Sequence, residues 1–212
     1  MKINRFTFNM FGVNTYILWD DTTNDAAIID PGMINQTEQD LVDNFIQSNK
    51  LNLTHLINTH MHIDHSFGIR YISKKYGLSL ECNTNDQFLA ERLKEQAQMF
   101  GLPIAIEDLK IETNLTDGDI IRLGNENLNI IQVPGHSPGS IVIYAPESSF
   151  LISGDALFNK SIGRTDLPGG DYNQLINAIN NKLMTLPKDT IVYPGHGPET
   201  SIADELNTNP YI

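Results

Sequence analysis

Thr59-His60-Met61-His62-Ile63-Asp64-His65 is the stretch on which the fold prediction depends, because it brings three imidazoles and a carboxylate into one short segment. The apolar run 53–57 just before it predicts a buried strand. In a loop, His60 and His62 can converge on one metal ion, while Asp64 and His65 on the following turn point toward a second ion beside it. The stretch therefore predicts a loop at the carboxyl end of a strand, where open α/β sheets build their sites.

Three further loops carry the same kinds of side chain. They are Pro134-Gly135-His136-Ser137-Pro138-Gly139, Ser153-Gly154-Asp155-Ala156 and Tyr193-Pro194-Gly195-His196-Gly197-Pro198, so five of the six histidines lie in motifs of this type. His136 and His196 are expected to complete the shell of one ion each, and Asp155, with two oxygens, is suited to bridge both. Nitrogen and oxygen donors without a thiolate favour catalytic zinc, iron or manganese over a structural zinc site.

The pattern of apolar residues predicts an α/β protein. Strands followed by helices, given twice along the chain, favour two sheets packed face to face with helices outside, a four-layer αββα sandwich that forms one domain over residues 1–212. The predicted strands are 3–8, 14–20, 26–30, 53–57, 120–123, 128–133, 140–144, 150–152 and 190–193, and the predicted helices are 36–48, 66–76, 86–100 and 172–184.

Composition excludes several classes of partner. The formal net charge of −12 over 212 residues disfavours nucleic acid and anionic membrane surfaces, which need clustered Lys and Arg. No apolar run approaches the roughly 20 residues that span a bilayer. Cys82 is the single cysteine and cannot form an intrachain disulfide, and the first residues lack the pattern of a signal peptide. We therefore expect a cytoplasmic protein in which Cys82 is a small buried hydrophobe.

The motifs together resemble the metallo-β-lactamase superfamily, and the resemblance covers essentially the whole chain. Within it, the segments 59–65, 154–158, 161–166 and 194–198 look most like the short bacterial glyoxalase II-type hydrolases. The resemblance implies two divalent metal ions, zinc first, with iron or manganese as alternatives. It also implies ligand sets of His60, His62 and His136 for one ion and Asp64, His65 and His196 for the other, with Asp155 between them.

The resemblance implies a hydrolase of glutathione thioesters, such as S-lactoylglutathione or a related 2-hydroxyacylglutathione. Attack by metal-bound hydroxide would give Asp64 and Asp155 catalytic roles, and a thiol leaving group needs no dedicated general acid. An iron-dependent persulfide dioxygenase of the same fold remains an alternative, since it looks similar through residues 163–166. A non-catalytic metal-binding protein is a further alternative. Class B β-lactamases are usually exported and many use a cysteine ligand, so antibiotic hydrolysis is disfavoured.

Arg164 and Lys160 are the candidate substrate-binding residues. Arg164 matches, by resemblance, a basic residue that contacts glutathione, although a salt bridge with Asp166 is the alternative. Lys160 is equally compatible with a solvated surface position. Full-length glyoxalase II proteins also carry a C-terminal helical domain that helps to hold glutathione, and this chain ends soon after His196. Arg164 is therefore expected to carry more of the binding.

Three other side chains have expected roles outside the ligand set. His55, on the incoming strand, is expected to be hydrogen-bonded and structural. Asp30 and Tyr193 are expected either to support metal ligands or to pack at strand ends.

Overall fold

The computed structural model describes all 212 residues, and the first half of the chain forms a six-stranded sheet. Its strands lie side by side in chain order, antiparallel from β1 to β3 and parallel from β3 to β6. These strands are β1 (Lys2–Phe8), β2 (Val13–Trp19), β3 (Asp25–Ile29), β4 (Asn52–Ile57), β5 (Leu80–Cys82) and β6 (Thr113–Asn114).

The second half forms another six-stranded sheet. Its strands are β7 (Ile120–Leu123), β8 (Glu126–Gln132), β9 (Ile141–Ala145), β10 (Phe150–Gly154), β13 (Ile191–Pro194) and β14 (Thr200–Ser201). A small hairpin of β11 (Leu157–Phe158) and β12 (Ser161–Ile162) lies outside both sheets. The order is β14-β13-β10-β9-β8-β7, with only β10 and β13 parallel. Two sheets of this kind confirm the predicted fold class.

Alternation along the strands explains why the two sheets pack together. Ala27 and Ile29 of β3 enter an apolar cluster that also contains Ile141 and Ile143 of β9, whereas Ile28 enters a different cluster with helix residues. Successive side chains of a strand point to opposite faces, so both faces of each sheet are buried. The shared cluster is the layer between the sheets.

Helices cover the two outer faces. Those described by the structure are α1 (Gln36–Ser48), α2 (Ile69–Tyr76), α3 (Gln87–Ala90), α4 (Leu93–Met99), α5 (Tyr172–Ala178) and α6 (Ile202–Thr208). Val42 and Ile72 pack on the first sheet, and Leu175 and Ile202 pack on the second, which completes the four layers. None of the helices has the length and apolar character needed to cross a membrane.

The predicted helix over residues 86–100 is wrong in one respect, because the structure divides it into α3 and α4. The backbone leaves helical geometry at Arg92, where φ is −130°. Leu89 packs in the apolar cluster on the outer face of the first sheet. Leu93 packs with Ile63 in a separate cluster, beneath the loop 59–65 that carries three histidines. A continuous helix would not direct both residues to these different clusters. The strands β5, β6, β11, β12 and β14 and helix α6 were not predicted, since they are too short to show a period.

A buried carboxylate joins α1 to α2. Asp43 is 5% exposed and accepts hydrogen bonds from the hydroxyls of Tyr71 and Tyr76 and from the Lys75 ammonium. Burial by itself would raise the pKa of Asp43, but the bonds from Lys75, Tyr71 and Tyr76 outweigh it and lower this pKa below its ordinary value. The carboxylate is therefore stabilised in its charged form in the folded chain.

We expect Asp43→Asn to lower the free energy of unfolding at pH 7 by about 1–3 kcal/mol, because an amide cannot accept all three bonds. The folded-state pKa of Asp43 is lowered, so its contribution is present above pH 4 and is lost as the pH falls through the folded pKa. Urea unfolding at pH 7 and pH 3 should show the difference from wild type shrinking at pH 3. Asp40→Asn, an exposed change on the same helix, is the matched control. Equal losses for the two variants would contradict this role.

Candidate metal centre

The seven side chains proposed as metal ligands lie on four loops at one edge of the sandwich. His60, His62, Asp64 and His65 follow β4, His136 lies between β8 and β9, Asp155 follows β10 directly, and His196 follows β13. The first loop belongs to the first sheet and the other three belong to the second. The site therefore forms only where the two sheets meet.

His60, His62 and His136 form the first group. Their potential ligand atoms all lie within 4.8 Å of one another, and all three residues are buried. The Nε2 atom of His136 is 3.2 Å from Nε2 of His60 and 2.8 Å from Nδ1 of His62. Three imidazole nitrogens that converge in this way form one face of a metal coordination shell.

Asp64, His65 and His196 form the second group, which also fits within 4.8 Å. Nε2 of His196 lies 3.1 Å from Asp64 Oδ2, and Nε2 of His65 lies 3.6 Å from the same oxygen. This group has two nitrogens and a carboxylate, so its donors are harder than those of the first group.

Asp155 lies between the two groups. Its Oδ1 is 3.4 Å from Nε2 of His65, and its Oδ2 is 3.6 Å from Nε2 of His136 and 3.6 Å from Nε2 of His196. Close approach of the next loop requires glycine here, since a Cβ on Gly195 would lie 2.2 Å from Asp155 Oδ1. One carboxylate thus contacts members of both groups, as a bridging ligand would.

The rings are oriented by hydrogen bonds on their far side. Nδ1 of His136 lies 2.8 Å from the carbonyl oxygen of Arg164, and Nδ1 of His196 lies 3.2 Å from the carbonyl oxygen of Phe11. Because each carbonyl can only accept, both rings carry their proton on Nδ1 and present Nε2 to the centre. Partners of this kind fix the tautomer of a metal-binding histidine.

Asp30 performs the same task for His65. Its Oδ2 lies 3.0 Å from Nδ1 of His65 and accepts a bond from the Thr59 hydroxyl, while Oδ1 accepts from the Thr59 backbone N–H. Asp30 also has a positive φ of 50°. These bonds occupy both oxygens, so Asp30 supports the ligand loop from behind.

The two groups differ in electrostatics. Burial lowers the pKa of His60 well below its usual value and that of His62 to about 3, and neighbouring imidazoles add to the effect. Burial by itself would also lower the pKa values of His65 and His196. The carboxylates of Asp64 and Asp155 outweigh this effect and raise both pKa values. Burial therefore favours the neutral form of His60 and His62, whereas the neighbouring carboxylates favour the charged form of His65 and His196.

The donor atoms fit divalent metal ions. Nε2 of His65 and Oδ1 of Asp155 are buried and have no hydrogen-bond partner, although they face each other at 3.4 Å. Leaving such groups unpaired is costly unless something else satisfies them. A set of imidazoles and carboxylates suits zinc, iron or manganese.

A cavity of about 230 Å³ opens directly on the cluster. Phe11, Ile63, Phe100 and Leu167 form its apolar wall, and Arg164 also lines it. Sequence reasoning missed this wall, since Phe11, Phe100 and Leu167 lie in separate loops without a motif. Apart from Arg164, every ionisable group that lines the cavity belongs to the candidate ligand set.

The two candidate substrate-binding residues lie in different places. Arg164 is in the cavity wall and makes a two-pronged contact with Asp166, Nε to Oδ1 and Nη2 to Oδ2 at 2.7 Å each. Lys160 lies in the turn of the β11–β12 hairpin, where its backbone N–H donates to Glu205, and it is not among the residues that line the cavity.

The remaining predicted residues have structural surroundings. His55 Nδ1 lies 2.8 Å from Glu81 Oε1, and this contact raises the pKa of His55. Cys82 is fully buried in the apolar cluster of the first sheet, as expected. Tyr193 contacts the Tyr16 ring at a tilt and the Phe150 ring edge to face between the sheets, so it packs at a strand end.

Comparison with known proteins identifies the family. The model of the metallo-beta-lactamase superfamily matches residues 9–196. The hydroxyacylglutathione hydrolase GloC of Haemophilus influenzae is 39% identical over 213 residues, which cover 100% of this chain and 98% of that protein. The crystal structure of the B3 metallo-beta-lactamase BLEG-1 has a TM-score of 0.89 and 31% identity, over 99% of each chain.

A di-iron-bound crystal structure, that of TTHA1623, has a TM-score of 0.85 and 32% identity over 99% of this chain and 100% of that one. A family match over most of the sequence and a relative that aligns from end to end thus show that this chain belongs to the metallo-beta-lactamase superfamily and is a metallo-hydrolase.

Proposed function

We propose that this protein is a binuclear metal-dependent thioester hydrolase whose substrate is a glutathione derivative such as S-lactoylglutathione. The observation that carries the proposal is the pair of ligand groups joined by Asp155 at the floor of a cavity. The 39% identity to the Haemophilus influenzae hydroxyacylglutathione hydrolase supports the choice of substrate.

Bound divalent ions would supply Lewis acidity and a water whose pKa is lowered to about 7. One ion would be held by His60, His62 and His136, and the other by Asp64, His65 and His196. Asp155 would contribute to both positions. His136 and His196 keep their Nδ1 protons on backbone carbonyls, so neither is free to act as a general acid.

The lack of a side chain in the cavity that could act as a general acid favours a thioester substrate. The ionisable groups that line the cavity are the candidate ligands and Arg164, and a guanidinium does not release its proton at physiological pH. A leaving group must therefore depart without protonation by the protein. A thiol, with a pKa of about 8.5, leaves as the thiolate, whereas an ordinary alcohol or amine does not leave so readily.

The walls of the cavity suit the rest of such a substrate. Phe11 and Phe100 contact each other edge to face with ring centroids 5.7 Å apart, and with Leu167 they keep water from one side of the cavity. Arg164, on another side, is the cation that lines the cavity, so it is the group suited to a glutathione carboxylate. The substrate-binding role of Lys160 stays a prediction from the sequence.

The proposal is tested by a substrate panel on the purified, metal-loaded protein. We expect hydrolysis of S-lactoylglutathione with release of free thiol, slower hydrolysis of a small thioester that lacks the glutathione carboxylates, and no oxygen uptake with glutathione persulfide. A β-lactam serves as a further arm, because the BLEG-1 relative is a metallo-beta-lactamase. Oxygen uptake without thioester hydrolysis would favour the persulfide dioxygenase, and turnover of the β-lactam alone would favour a lactamase.

We expect elemental analysis to find two metal ions per chain in the wild type. Asp155→Ala should lower thioesterase activity by at least about 100-fold, because both ligand groups would lose the carboxylate that lies between them. Circular dichroism should show the same secondary structure as wild type. Asp166→Ala, which removes a carboxylate near the cavity outside the ligand set, is the control and should keep both ions. One ion per chain at full activity would contradict the binuclear site.

We expect Arg164→Ala to raise KM for S-lactoylglutathione roughly ten- to hundredfold, the loss typical of one charge-assisted contact. The change in kcat should be much smaller, since the contact is remote from the reacting carbonyl. Asp166→Asn frees Arg164 and should lower KM. Arg92→Ala, an exposed arginine that does not line this cavity, is the control. If Arg164→Ala weakened turnover of the small thioester equally, the Arg164–Asp166 pair would be purely structural.

A further inference from the structure

The backbone of the first histidine loop is held by two side chains from the segment that contains α3 and α4. The backbone N–H of Met61 donates to Asp86 Oδ2 at 3.1 Å, and the Met61 carbonyl accepts from Gln96 Nε2 at 3.3 Å. The N–H of Ile63 donates to Gln96 Oε1 at 3.0 Å. Asp86 is fully buried and Gln96 is 8% exposed. These bonds flank His62 on both sides.

Asp86 also binds the loop that carries His136. Its Oδ2 accepts from the Ser137 hydroxyl at 2.7 Å, and its Oδ1 accepts from the Gly139 N–H at 2.6 Å. The approach is so close that a Cβ on Gly139 would lie 2.7 Å from the Asp86 carboxyl carbon. One carboxylate therefore connects two loops that come from different sheets.

The two loops are those that supply the first group of imidazoles. His60 and His62 lie on the first loop and His136 on the second, with their nitrogens 2.8 to 3.2 Å apart. The strands that precede and follow these loops belong to separate sheets, and besides Asp86 a backbone hydrogen bond joins the loops, from the Ile141 N–H to the Thr59 carbonyl at 2.9 Å. The contacts of Asp86 thus act directly on the separation of the three imidazoles.

We propose that Asp86 is a positioning residue for the metal ion held by His60, His62 and His136, because it fixes the distance between the loops that carry them. A carboxylate accepts only, and all three of its partners here are donors. Asparagine would turn one oxygen into an N–H donor that faces another donor. The inference rests on the proposed metal site, but it does not depend on which substrate the protein hydrolyses.

Cobalt(II) titration of the metal-free protein, with a competing chelator, tests the inference through binding and the visible spectrum. Wild type should bind two equivalents. Asp86→Asn should weaken one of them by about 10-fold or more, as loss of an outer partner of a metal site does, and should alter its spectrum. Ser137→Ala removes one donor from Asp86 and should give a smaller shift in the same equivalent, even if Asp86→Asn folds poorly.

Asp43→Asn is the matched control. Asp43 is also a buried carboxylate with three donors, but its partners lie on α2 and not on a ligand loop. The Asp43→Asn variant should be less stable than wild type but keep its cobalt affinity within about threefold, because the hydrogen bonds that it loses lie far from the candidate ligands. Wild-type affinity in both Asp86→Asn and Ser137→Ala, or an equal loss in Asp43→Asn, would overturn the inference. Failure of the wild type to bind cobalt would contradict the metal site itself, whereas normal binding without thioester turnover would contradict only the proposed function.

Discussion

The packing of the two sheets through one shared apolar layer is the constraint on which the candidate metal centre depends. The first histidine loop leaves the first sheet, while the loops of His136, Asp155 and His196 leave the second. Residues such as Ile29 and Ile143 belong to one continuous cluster between these sheets. A small shift of one sheet against the other would therefore separate the two halves of the ligand set, and the close packing of protein interiors resists such shifts.

Buried polar side chains transmit this arrangement to the loops. Asp30 holds Thr59 and His65, Asp86 joins the loops of His62 and His136, and the Asn14 amide donates to the carbonyls of Pro194 and Gly197 on either side of His196. Among their partners are backbone groups that would otherwise be buried unpaired, such as the N–H groups of Thr59 and Met61. These bonds restrain the ligand loops, in which Ile63–His65 forms one 3-10 turn, and a preorganised metal site requires such restraint.

The charge distribution reconciles an acidic protein with the proposed anionic substrate. The net charge is −12, yet the carboxylates that line the cavity all belong to the candidate ligand set. Divalent ions would neutralise those carboxylates, so that Arg164 could attract a glutathione carboxylate locally. The lowered pKa values of His60 and His62 and the raised pKa of His65 show that the two ligand groups have different electrostatic surroundings.

The sequence by itself predicted the candidate donor set and determined most of the strands and the bounds of α1. These are local properties, set by residue type and periodicity; the structure agrees on those elements and brings the candidate donors together in groups. Tertiary structure alone decided the break at Arg92, the apolar wall of Phe11 and Phe100, and the roles of Asp86 and Gln96. The physical reason is that these features arise from contacts between segments far apart in the chain, and a lone buried Asp or Gln carries no periodic signal that would reveal which loop it holds.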